Sequence, residues 1–85
     1  MKFESRVYAP WALVRFEGEL RLAYLTSIGG GFLGPVAGYR GHIVGDDGKP
    51  VEESSESHWF THGQFIRDWR NKPNKVNLAK AKAVA

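Results

Sequence analysis

The chain has 85 residues, 42% hydrophobic and 13% aromatic, with a formal net charge of +3. That length supplies one domain and too little chain for a second core. It holds no cysteine, which excludes disulfides, thiolate catalysis, Cys-ligated zinc and iron–sulfur clusters and favours a reducing cytoplasm.

The charge is unevenly spread. From Arg70 onward there are five bases and no acid, while seven bases face nine acids before it, leaving the body at −2. The positive balance therefore belongs to a tail, which reads as a handle for an anionic partner or as a solubilising end.

In chain order, residues 1–6 place charges where a signal peptide would need an apolar run. Residues 3–8 read as a short strand, interrupted by Pro10. Residues 11–16 and 19–27 form a hairpin around Phe16-Glu17-Gly18, with Gly18 in the left-handed position. That loop sets Arg15 opposite Glu19, Val14 opposite Leu20 and Ala12 opposite Leu22. Gly29-Gly30-Gly31 with Phe32, Leu33, Gly34 and Pro35 reads as an apolar loop that no regular element absorbs. The most apolar stretch, 28–37, falls far short of the roughly 20 residues that span a bilayer.

Residues 36–44 read as another strand, Asp46-Asp47-Gly48-Lys49 as a turn, and residues 51–59 as a polar return strand or loop. Thr61-x-x-Gln64 has capping-box spacing and predicts a helix, with Phe65, Ile66 and Trp69 as its docking stripe. Pro73 ends that helix. The chain thus divides into a domain over 1–72 and a basic Ala/Lys-rich tail over 73–85, flexible or marginally helical. Its isolated apolar residues, Val76 and Leu78, promise little buried area.

Chemical motifs are sparse. No serine lies in a nucleophile-elbow context, and no Asp is spaced to orient a histidine. His58 and His62 are four apart, and His42 with Asp46 or Asp47 could approach across a sheet, but no clear third ligand defines a metal site. The glycine run lacks the helix N-terminus that a phosphate loop needs. Tyr8, Trp11, Tyr24 and Tyr39 stand among Arg6, Arg15, Arg21 and Arg40, as on a nucleic-acid surface, yet Glu4, Glu17 and Glu19 dilute the region. The acids Asp46, Asp47, Glu52, Glu53 and Glu56 would repel phosphates and attract a basic protein.

The expected fold is α+β: a small, mostly antiparallel sheet of four or five strands with the helix from Thr61 packed on it, or as a close variant a small barrel. The expected function is a non-enzymatic protein-binding module, an adaptor or inhibitor of a larger macromolecular machine. Its partner-binding residues are Phe32, Leu33, Asp46, Asp47, Glu52 and Glu53. The alternative is a nucleic-acid-binding accessory protein using Arg70, Lys72, Lys75, Lys80, Lys82 and the sheet aromatics. The expectation includes a cytoplasmic location and no catalytic residue, metal, cofactor or membrane.

Overall fold

Glu17 and Gly18 decide the first hairpin, because both take positive φ, 52° and 80°. Two such residues make the primed turn whose twist matches that of antiparallel strands. The computed structural model describes residues 7–30, 34–51 and 56–85. In it the turn joins β1 (Trp11–Phe16) to β2 (Glu19–Gly30). Phe16 therefore pairs with Glu19, Arg15 with Leu20 and Leu13 with Leu22. The three-residue loop expected from sequence was wrong by one position. Keeping Phe16 in the strand sets its ring against those of His58 and Phe60, at centroid distances of 4.8 and 6.2 Å.

β2 continues through Gly29 and Gly30 and pairs antiparallel with β3 (Val36–Val44), Gly29 lying opposite Gly38. Gly29 and Gly30, expected in the loop, thus belong to the strand. A register shift between Leu25 and Ser27 bends the long strand at Thr26. The turn at Asp46–Lys49 forms as expected, closed by bonds from Gly48 N–H to Gly45 O and from Gly45 N–H to Lys49 O, both 2.8 Å. Of the described residues in the return strand expected at 51–59, only His58 and Trp59 are extended in a strand. Pro50 makes one bridge to Val44, and β4 covers only His58–Thr61.

Thr61 does not start an α-helix. Gln64 reaches back as the capping pattern requires, its Oε1 accepting the Thr61 N–H at 3.1 Å. The turn, however, is a 3-10 turn over His62–Gln64, and the chain leaves it extended as β5 (Phe65–Trp69). The cause is tertiary. The Gln64 amide also donates to the Arg15 carbonyl at 3.2 Å, which brings the chain to the free edge of β1. Phe65 then pairs with Val14 and Trp69 with Trp11. A stripe of only three apolar residues fits a strand rich in aromatic and branched side chains as well as it fits a helix.

The strand order is β4-β3-β2-β1-β5, all antiparallel. The outermost strands β4 and β5 are consecutive in the chain and joined by three residues, so the sheet must coil to bring its edges near each other. Tyr39 of β3 accordingly stacks on Phe65 of β5 at 5.2 Å. The sheet nevertheless stays open, which sets aside the barrel variant.

Strand alternation gives the sheet two apolar faces. The inner face buries Ala12, Val14, Ala23, Leu25, Ile43 and Phe60, rimmed by Val7, Phe16, Tyr39 and Phe65. The outer face presents Leu13, Leu22 and Val44, with Trp11, Leu20, Tyr24 and Trp69 around them. The helix that covers this outer face is α1 (Lys75–Ala83), within the segment read as a tail. Asn74 caps it by accepting the Asn77 N–H at 2.8 Å. Leu78 and Ala81 are buried in the outer cluster while Val76 stays exposed, so one of the two isolated apolar residues does pack on the body. The strand expected at residues 3–8 falls mostly outside the described residues, and Val7 and Tyr8 belong to no strand.

Candidate functional site

Two glycines face each other across β2 and β3 for a visible reason. A Cβ on Gly38 would lie 2.5 Å from the Phe60 carbonyl and 2.7 Å from Trp59 Cζ2, and one on Gly29 would overlap the Trp59 ring itself. β4 pairs Trp59 with Arg40 and Thr61 with Gly38, which places the indole over this bare stretch of backbone. Phe60, next in the strand, points to the inner face and is fully buried. Trp59 keeps 42% of its surface exposed. Beside it, Arg40 Nη1 donates to Ser57 Oγ at 3.3 Å, and the Arg40 carbonyl accepts from Thr26 Oγ1 at 3.1 Å. The result is a flat aromatic plate, fixed from below, with a guanidinium at its side.

The same strand ends lead into the segment that carries Phe32 and Leu33. Those two residues lie outside the described residues, as do Glu52 and Glu53. The described neighbours Gly30 and Gly34 are both exposed.

Asp46 and Asp47 sit in the turn after β3, and they do not project alone. Lys82 of α1 spans both carboxylate oxygens of Asp46 at 3.1 Å. Lys72 Nζ donates to the Asp47 carbonyl at 3.0 Å, and Asp47 Oδ1 accepts the Lys49 N–H at 3.0 Å. The acidic turn and the basic tail, read from sequence as opposed handles, thus meet. Between them lies an open pocket of about 240 Å³, lined by Asp46, Lys75, Leu78, Ala79 and Lys82. Arg70 and Lys72 follow β5, whereas Lys75, Lys80 and Lys82 lie on α1.

The three histidines have separate tasks. His42 Nδ1–H donates to the Glu56 carbonyl at 3.2 Å, His62 Nε2–H to the Val36 carbonyl at 2.6 Å, and His58 packs its ring on Phe16. Among the described residues no group of three or more His, Cys, Asp or Glu is placed to hold a metal ion. No helix among them is long and apolar enough to cross a membrane.

Sequence reasoning missed Trp59 and both of its glycines as a unit. Gly29 read as a loop former and Gly38 as a weak point in a strand, and only the β2–β3 register reveals that the two oppose each other. It also missed two arginine–aromatic contacts, Arg67 over Trp69 at 5.1 Å and Arg70 over Tyr8 at 4.8 Å. The alternation of Arg67 and Trp69 within a strand would have signalled the first, had residues 65–69 been read as β. The chain matches no protein-family model, no curated protein and no solved structure.

Proposed function

We propose that this chain is a small non-enzymatic protein-binding module, an adaptor or inhibitor of a larger macromolecular assembly, acting in the cytoplasm. The observation that supports it best is the exposed Trp59 plate on Gly29 and Gly38, with Arg40 beside it. Tryptophan and arginine are the residue types that dominate protein interfaces, and an indole already held flat loses little conformational freedom on binding. Phe32 and Leu33, in the segment joining β2 to β3, supply further apolar side chains for the partner.

The acids Asp46, Asp47, Glu52 and Glu53 would steer a basic partner and set its orientation. Asp46 contributes less than its charge suggests, because Lys82 already accompanies it. Asp47 accepts only a backbone N–H at its carboxylate among the described contacts, so it carries more of the steering.

Affinity capture from the native host with wild-type and Trp59→Ala baits, each with and without nuclease, tests this reading. The expected result is a nuclease-resistant protein partner that the Trp59→Ala bait loses while its melting temperature holds. Phe32→Ala with Leu33→Ala serves as a second bait, should Trp59→Ala lower stability. A partner retained by both variants, or lost with nuclease, overturns the proposal.

A further inference from the structure

The edge strand opposite β4 carries a different surface. On β5, Arg67 and Trp69 are two residues apart and so share one face of the sheet, where the guanidinium lies 5.1 Å over the indole. One residue beyond the strand, Arg70 lies 4.8 Å over the Tyr8 ring. Tyr8 is 75% exposed, more than any Phe, Trp or other Tyr among the described residues. Asp68 is the one acid within 65–75. It pairs with Ala12, whose side chain enters the inner core, so alternation sends the carboxylate to the other face from Arg67 and Trp69. Lys72 follows, its ammonium held by a carbonyl rather than a carboxylate.

We infer that the β5 end of the sheet binds single-stranded nucleic acid, with Tyr8 and Trp69 and the guanidinium planes above them as stacking sites for unpaired bases. Three physical points favour this ligand. Single-strand surfaces combine aromatic rings with arginines, and bases stack on ring faces and on guanidinium planes alike. An arginine resting on a ring is oriented in advance and still carries a full charge for a neighbouring phosphate. A duplex hides its base faces and has no use for an exposed Tyr8. This surface is independent of the Trp59 plate, so the two readings stand or fall separately.

The test is fluorescence anisotropy of labelled oligothymidylate and oligouridylate, roughly twelve nucleotides long, with the full chain at about 50 and 200 mM salt. Saturable binding is expected, with a log–log salt slope of about −1.5 to −3, the value for two to four neutralised phosphates on a single strand. Tyr8→Ala should weaken it at least about fivefold, as the loss of one stacked base would. Arg67→Gln with Arg70→Gln should weaken it more and flatten the slope. Trp59→Ala should bind as wild type, which separates this inference from the protein-binding proposal. Absence of saturable binding at the lower salt overturns the inference, as does equal competition by the matching duplex. Unchanged affinity in the Tyr8 and arginine variants, with loss on reversing Lys75 and Lys80, would overturn it by moving the contact to α1.

Discussion

Trp59 rests on two glycines that resist substitution for different reasons. The nearest atoms to a methyl group on Gly29 all belong to the indole, a side chain that can swing outward. A methyl group on Gly38 also meets the Phe60 carbonyl at 2.5 Å, and that oxygen belongs to the β3–β4 ladder. Gly29→Ala should therefore displace Trp59 at a cost of about 1 kcal/mol, while Gly38→Ala costs about 1–3 kcal/mol by forcing backbone apart. Adding Trp59→Ala should restore Gly29→Ala to the stability of Trp59→Ala alone but leave Gly38→Ala impaired. Urea midpoints of the two double-mutant cycles give the answer. Equal rescue at both positions would mean that the ring alone fills the space above Gly38. At this scale the sequence was legible in composition only. Glycines at 29 and 38 are nine residues apart, and nothing local says that a third strand lays an indole across both.

Helix α1 illustrates how an element can be marginal alone and necessary in place. Nine residues with three lysines would scarcely hold a helix in water. Here the Asn74 cap satisfies one end, Lys80 and Lys82 lie where the helix dipole favours cations, and Leu78 and Ala81 meet Leu13, Leu22 and Val44. Leu78→Ala should destabilise the protein by about 2–5 kcal/mol, the range for a buried leucine. Asn74→Ala should remove about 1 kcal/mol. Breaking the Lys82–Asp46 pair should matter least, under about 1 kcal/mol, since the two side chains are 30% and 63% exposed. Truncation after Asn74 should lower the thermal midpoint by several degrees by uncovering the outer sheet face, and an unchanged midpoint would show that α1 is only loosely attached. The hairpin, β3 and the Asp46–Lys49 turn were legible because alternation and turn residues are local signals. The helix was sought at Thr61 because a capping pattern and a three-residue stripe are local too, and they were overruled by the open edge of β1. A tail of lysines and alanines gave no sign that its one leucine would be buried.

For the molecule as a whole, the coiled sheet and the helix are joined unequally. The strands alone enclose the inner apolar face, and the first strand pairs with the last, so that face cannot open without breaking strand ladders such as β1–β2 and β1–β5. Sheet and inner core should therefore unfold in one cooperative step. Helix α1, by contrast, holds on through two buried side chains, the exposed Lys82–Asp46 pair and the Lys72 contact to Asp47. The charge split read from the sequence was real, but its consequence was misjudged: part of the basic tail is spent on its own acidic turn, while Arg70 at its start rests on the Tyr8 ring. Spacing alone could not show this, because Lys82 and Asp46 are 36 residues apart. Native-state hydrogen exchange should reveal the inequality. The amides of α1 should exchange through a partial opening of lower free energy than that protecting Leu13, Leu22 and Leu25 in β1 and β2. Raising the salt should widen the gap, since screening weakens the exposed ion pair and hardly touches the buried strands. Equal protection of α1 and β2, insensitive to salt, would mean that helix and sheet form one cooperative unit and that the contacts of Leu78 and Ala81 outweigh what their area suggests.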